Sequence, residues 1–384
     1  MKDSYKLVAV QMEIRNKKYP HDLLNDMKKL ILEASSKNAD VIVFPDYMDL
    51  NLLPYYISGS DYNLTDSVSS LNEAIVRIFE SKNFFAKELI FTELINLARK
   101  YNIFICSGGW LGMENRRYKK SIALISPYDG IVLEGESTHL FPWEYELNFI
   151  LGKSLLFCKD VLGSVGILVG GEIYFPEVSR ILNLLGVKIL LASNITKSFC
   201  LPNDKIKSKL SSSSNISKST YNESKYKSLQ EKNKSKPYDD ELKYRSLQKE
   251  NISKFSRNKC KNEYLIAPNK YKISSFNPYN DFIYRCGIWR EVQQNQVFAC
   301  ESFLLGNLGN DKLEGRASII GPCEITDDGS GIIAKASSFD KEETVIAEVK
   351  LSELDNIRKK YPIKKFLNPD LYKKYLPNLY EKTD

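Results

Sequence analysis

Side chains suited to nucleophilic or metal chemistry are few in this chain. Seven cysteines are scattered along it. No pair has Cys-x-x-Cys spacing, and His21 and His139 are the two histidines, so the pattern does not point to a Cys/His zinc site or a disulfide framework. Cys106, Cys158, Cys286, Cys300 and Cys323 lie in or beside apolar runs and read as inert packing residues. Cys200 and Cys260 flank a basic stretch, where a disulfide clasp would need an oxidising compartment. The carboxylates are more telling. One ends the apolar strand Ala39-Asp40-Val41-Ile42-Val43-Phe44-Pro45-Asp46. Another closes His139-Leu140-Phe141-Pro142-Trp143-Glu144. A third sits in Gly170-Gly171-Glu172-Ile173-Tyr174-Phe175-Pro176-Glu177-Val178-Ser179-Arg180. A carboxylate held at a strand end can move a proton, and clustered carboxylates can hold a hard cation.

These three segments, in this order, resemble the nitrilase (carbon–nitrogen hydrolase) superfamily. The first is similar to the family's strand ending in Phe-Pro-Glu. The second is similar to its Lys-x-His-Leu segment, and the third to its Cys-Tyr-Asp-x-x-Phe-Pro-Glu-x-x-Arg elbow. A fourth segment follows, Trp289 through Asn295-Gln296-Val297-Phe298, with Ser318-Ile319-Ile320-Gly321-Pro322 downstream. The resemblance covers roughly 5–198 and 266–372. It implies an α/β fold of four layers, an α-β-β-α sandwich, dimerised through its helices and needing no metal or organic cofactor. It also implies a Glu–Lys–Cys triad. The Glu takes the thiol proton, the thiolate attacks an amide or nitrile carbon, and the Lys stabilises the developing oxyanion.

At the matching positions this chain has Asp46 for the Glu, Ser137 for the Lys and Gly170 for the Cys. The base is one methylene shorter, the cation has become a hydroxyl and the nucleophile has no side chain. A one-residue slip places Val169 or Gly171 at the nucleophile. No cysteine lies between Cys158 and Cys200, and no Lys or Arg between Lys120 and Lys153. Loss of the nucleophile costs on the order of 10⁶ in turnover, against roughly 10²–10³ for an oxyanion donor, so Gly170 decides the matter. The sequence predicts a chain inactive in thioester chemistry, serving as a binding or scaffold subunit. The competing readings are an amidase-type hydrolase with a rewired site, its water activated by Asp46 or Glu172, and a dimeric platform for the basic stretch.

Asp46, Glu144 and Glu172 are expected to face the site, with Glu146 the second choice for Glu144. With Ser137 in place of a cation, the site is expected to be acidic and uncompensated, suited to a metal cation or an amine. Alternatively, Asp46 caps a turn and Glu172 caps the elbow helix. Tyr55, Tyr56 and Trp143 are candidate pocket walls.

The elements that must position these residues follow from periodicity. Strands are expected at Lys6–Gln11, 40–44, 102–107, 120–126, 131–134, 165–169, 187–191, 297–304, 315–320 and 344–349. Leu23, Leu24, Met27, Leu30, Ile31 and Ala34 share a helical face, as do Ile90, Leu94 and Leu97 within a helical region from about 71 to 100. Pro176 opens a helix that Gly186 stops. Two further helices are expected near 284–295 and 351–359. The chain has 384 residues, 43% of them hydrophobic, enough for a sizeable core. Net charge is +7, but residues 201–262 carry +9 and leave −2 for the rest. That stretch is rich in Ser, Lys and Asn. It repeats Lys225-Tyr226-Lys227-Ser228-Leu229-Gln230 as Lys243-Tyr244-Arg245-Ser246-Leu247-Gln248. It is expected to be a disordered insertion over 199–263, dividing one domain into 1–198 and 264–384. Nucleic acid or an anionic membrane would be its partners. No apolar run is long enough to span a bilayer, and the charged start is unlike a signal peptide. A cytoplasmic homodimer with a small-molecule ligand is the expectation.

Overall fold

Residues of β1 (Ser4–Glu13) alternate strictly between two cores, as period-two geometry requires of a strand buried on both faces. Leu7 and Ala9 point to one side, and Val8, Val10 and Met12 to the other. The computed structural model describes residues 2–57, 68–81, 84–197 and 287–380. All of them belong to one compact unit, Met1–Phe199 with Asn277–Asp384. The second unit, Cys200–Phe276, the repeat within it, and Cys200, Cys260 and Cys286 lie outside the described residues.

The remaining strands are β2 (Val41–Val43), β3 (Phe104–Cys106), β4 (Trp110–Glu114), β5 (Arg117–Ser126), β6 (Gly130–Glu136), β7 (Leu156–Cys158), β8 (Val165–Val169), β9 (Ile189–Ile195), β10 (Phe298–Leu308), β11 (Asp311–Leu313), β12 (Ser318–Ile320), β13 (Ile332–Lys335) and β14 (Glu343–Lys350). The helices are α1 (Pro20–Ser36), α2 (Leu53–Ile57), α3 (Leu71–Glu80), α4 (Phe85–Tyr101), α5 (Pro142–Glu146), α6 (Pro176–Leu184), α7 (Ile288–Asn295), α8 (Leu351–Lys360) and α9 (Pro369–Tyr380). The main path of the sheet runs β4-β5-β3-β2-β1-β10-β9-β8-β7. It curls on itself. The strands around β1 pack outward on α1, α3 and α4, through Leu23, Met27, Ile78, Ile90 and Leu94. The strands β8, β9 and β10 pack outward on α6 and α7, through Val178, Leu182 and Val292. Between the halves lies a core made mainly of strand residues, including Val41, Val43, Ile122, Leu124, Val165, Ile167, Leu191 and Phe298. Three apolar interfaces thus separate four layers, giving the α-β-β-α sandwich.

The expected strands and helices appear, with differences at the edges. The helical region from 71 to 100 is two helices, α3 and α4. Ile181 of α6 is on the exposed side. β4, β7, β11, β13, α2, α5 and α9 were not expected.

Strand β10 joins the halves. It pairs with β9 from Phe298↔Ile189 to Leu304↔Ile195, and with the end of β1 at Gln11↔Phe303. Side chains reinforce the joint. Ser302 Oγ donates to the Val43 carbonyl at 2.7 Å and accepts from the Val10 amide at 3.0 Å. Ser193 Oγ donates to the Phe44 carbonyl at 2.7 Å. These buried hydroxyls satisfy backbone groups where the ladder opens. Ser302→Ala should therefore destabilise the fold by about 1–3 kcal/mol, from two backbone groups left without their partner. Urea unfolding measures this, and an unchanged midpoint would contradict the joint.

Candidate functional site

The strand end of β2, the hairpin β5–β6, the loop into α5 and the elbow after β8 converge at the C-terminal ends of the parallel strands, where open α/β sheets place their sites. Asp46 is tied to the far half of the sheet, its amide donating to the Asn194 carbonyl at 3.3 Å. Gly109 lies against it so closely that a Cβ there would come within 1.8 Å of Asp46 Oδ1, so only glycine fits. Tyr47 follows in the left-handed region, at φ 57°. Such a backbone costs about 1–2 kcal/mol in a non-glycine residue. Its amide donates to Asp46 Oδ1 and its hydroxyl to Glu144 Oε1.

The centre of the site is an ammonium group. Lys120 Nζ lies 2.7 Å from Asp46 Oδ2 and 2.6 Å from Glu144 Oε1, and all three side chains are fully shielded from solvent. The ammonium also sits 4.7 Å from the centre of the Tyr47 ring and 5.6 Å from that of Phe141, a cation–π enclosure. Phe141 stacks on Trp143 at 5.5 Å, and Trp143 lies 5.4 Å from Tyr47. Glu144 closes its own turn, Oε2 accepting from the Phe141 amide at 2.7 Å.

This geometry corrects the expectation of an uncompensated acidic site. Ser137 does carry no charge, its hydroxyl donating to the His139 carbonyl at 2.7 Å. Its amide, however, donates to the Lys120 carbonyl at 3.3 Å. Lys120 is the cross-strand neighbour of Ser137, and it delivers an ammonium from the adjacent strand. The amine that the carboxylates were expected to attract belongs to the chain itself. Among the described residues no group of three or more His, Cys, Asp and Glu is placed to hold a metal.

Gly170 ends β8 with φ +56°, and a Cβ on it would lie 2.5 Å from Lys120 Nζ, 2.9 Å from Asp46 Oδ2 and 3.1 Å from Phe141 Cε2. The ammonium therefore occupies the space that a side chain at Gly170 would need. No described thiol converges here. Cys106 and Cys300 are buried in the core between the sheet halves, and burial pushes the Cys106 thiol up to about 12.

The other expected residues divide. Glu172 turns away: Oε1 accepts from the Thr138 amide and hydroxyl at 2.7 and 2.6 Å, and Oε2 from the Val169 amide at 2.9 Å. It clamps the elbow and does not join the ammonium. Glu146 is exposed. Tyr56 donates to Asp49 Oδ1 at 2.9 Å, and Tyr55 packs edge-on against Tyr56 within the helix-side core. Trp143 is part of the enclosure. Lys120 lies in none of the motif segments, whereas Phe141 belongs to the second and Tyr47 directly follows the first. The signal for Lys120 was its parity, since it shares a strand face with the buried Ile122 and Leu124.

Burial pushes the Asp46 carboxyl up to about 6, Lys120 opposing and Glu144 adding to the rise. Burial pulls on Lys120 in the neutral direction, but Asp46 and Glu144 outweigh it and hold the ammonium above its ordinary value. A lysine serves as nucleophile when its pKa falls, so this one is a fixed cation.

A profile of the carbon-nitrogen hydrolase family matches residues 6–219, more than half of the chain. No curated protein matches by sequence. Among solved structures, a carbon-nitrogen hydrolase from Helicobacter pylori G27 aligns with TM-score 0.59 at 14% identity, over 97% of this chain and 98% of that one. A double mutant of the amidase from Nesterenkonia sp. AN1 in complex with acrylamide aligns with TM-score 0.56 at 9% identity, over 95% and 98%. Another mutant of that amidase, with the acetamide moiety of fluoroacetamide added covalently at its active-site cysteine, aligns with TM-score 0.53 at 10% identity, over 95% and 97%. At these identities the likeness is one of fold.

Two pH effects follow. The Asp46 pKa is raised from 3.8 to about 6, so between those values the folded state holds more protons than the unfolded, and this contribution to stability declines as pH rises through that window. Lys120 is raised from 10.5, so its contribution is complete below that value and is lost only as pH climbs through the folded pKa. Lys120→Met strands two buried carboxylates and should cost about 3–5 kcal/mol at about pH 8. The loss should be smaller at about pH 5, where Asp46, with its pKa raised to about 6, takes up a proton. Urea unfolding of both proteins at the two pH values checks this, and an equal or larger loss at the lower pH would contradict it.

Proposed function

For a chain that belongs to the carbon–nitrogen hydrolase family, we propose a role as a catalytically inactive subunit, a pseudoenzyme that binds or scaffolds and does not turn over amides or nitriles. One observation carries the reading: Gly170 supplies no nucleophile, and the Lys120 ammonium fills the space where one would stand. An acyl-enzyme requires a side-chain nucleophile, and its loss alone costs about 10⁶ in turnover. The Asp46–Lys120–Glu144 group then serves as an internal strut. Water activated by Asp46 gains no support, because that carboxylate is sealed from solvent and paired with an ammonium. Glu172 is no better placed, since both of its oxygens accept hydrogen bonds from Thr138 and Val169.

The reading includes self-association through helices. α6 leaves Ile181 and Leu184 46% and 52% exposed, an apolar face that a second copy would cover. Among the described residues no helix is long and apolar enough to cross a membrane.

The test is a screen of the full chain against amides, nitriles and N-carbamoyl compounds. Turnover should equal that of buffer. Turnover that survives thiol reagents would overturn the proposal in favour of a rewired hydrolase. The triple substitution Asp46→Glu, Ser137→Lys, Gly170→Cys should stay inactive while Lys120 is present, and should gain activity only when Lys120→Ala is added. Gly170→Cys alone should destabilise the protein by about 1–3 kcal/mol from its left-handed backbone, read as a lower melting temperature.

A further inference from the structure

A second cluster of charge lies away from Gly170, where α8 turns into the C-terminal stretch. Residues 350–374 carry eight Lys and Arg against three Asp and Glu. Five of them, Asp355, Arg358, Lys359, Pro362 and Lys365, line a cavity of about 430 Å³. Its one carboxylate is already engaged, since Asp355 Oδ2 lies 3.0 Å from Lys188 Nζ. Its cations have no such partner among the described residues. Arg358 is held in place by backbone, Nε and Nη2 donating to the Gln296 carbonyl at 3.0 and 2.8 Å. The carbonyls orient the guanidinium, and Asp355, three residues earlier on α8, offsets part of its charge, while Lys359 and Lys365 add two further positive charges to the lining. Lys364 adds a further cation, anchored on the Asn183 carbonyl. Burial pulls the Lys364 ammonium down, and Arg358 and Arg180 pull it further.

We infer that this cavity is an anion site that takes a phosphate group, with Arg358 as the oriented fork and Lys359 and Lys365 as the mobile cations. A pre-oriented guanidinium flanked by ammonium groups suits a multiply charged tetrahedral anion better than a single carboxylate. The volume admits more than a bare ion, so a phosphorylated small molecule or a lipid phosphate headgroup fits. The inference does not depend on the reading of Gly170.

Isothermal titration of inorganic pyrophosphate into the full chain, and sedimentation with vesicles containing phosphatidic acid, test the site against the double variant Lys359→Gln, Lys365→Gln. Both side chains are exposed, so the variant should melt like the wild type without ligand. The separately basic stretch 201–262 is unchanged in both proteins, and the variant isolates the cavity. Pyrophosphate binding that weakens at least about 10-fold in the variant, from the loss of two charge-assisted contacts, supports the site with a soluble source. Vesicle binding that weakens likewise without pyrophosphate binding supports it with a lipid source. Equal binding by both proteins in both assays, or no binding in either, overturns it.

Discussion

One ammonium group holds four separate pieces of this chain together. Lys120 reaches from a hairpin strand, Asp46 from the end of β2, Glu144 from the turn of α5, and Gly170 makes room from the elbow after β8. Buried charges are costly unless paired, and a buried pair gains little over an apolar substitute. What such a group enforces is geometry, because any other arrangement leaves a carboxylate or an ammonium stranded in a dry interior. The left-handed backbone at Tyr47 is held by the same group, its hydroxyl on Glu144 and its amide on Asp46.

The frame around this group does not depend on which side chains stand at the strand ends. The apolar strands that carry the site, β2, β8 and β9, are fully buried between the layers, and their packing does not depend on what stands at Gly170. The strand ends still meet, and what they bring together still has to be electrically satisfied. Ser137 brings no charge, and its hydroxyl is absorbed by local carbonyls. The charge comes from the adjacent strand, at Lys120, and its ammonium occupies the space that a side chain on Gly170 would need.

Much of the architecture was legible in the sequence because buried strands read as short β-branched runs and helices as i, i+4 stripes. β2 lies between Asp40 and Pro45, β8 ends at Gly170 and α6 opens at Pro176, so their limits could be read from single residues. β7 and β13 were not legible: they are three- and four-residue strands whose side chains are half-buried or exposed, so they lack the apolar signal. Asp46, Glu144 and Gly170 were found by their place in motifs. Lys120 was not, and the reason is register. The β5–β6 ladder shifts by one residue between Leu124 and Ile125. That bulge brings Lys120 level with Ser137 instead of Glu136, and no local pattern announces it. Glu172 sits in a motif like the others, yet its direction is set by the Thr138 backbone, which belongs to a different segment.

The charged state and burial of Lys120 can be observed directly. A proton–nitrogen correlation spectrum of protein labelled with ¹⁵N-lysine, compared with Lys120→Arg for assignment, reports ammonium groups that exchange slowly with water. The account predicts one protected ammonium resonance belonging to Lys120, persisting as pH is raised past the ordinary lysine range, since Asp46 and Glu144 hold its proton. An exposed, rapidly exchanging Lys120, or a neutral amine at about pH 8 well below the ordinary lysine value, would contradict the claim that this side chain seals the site.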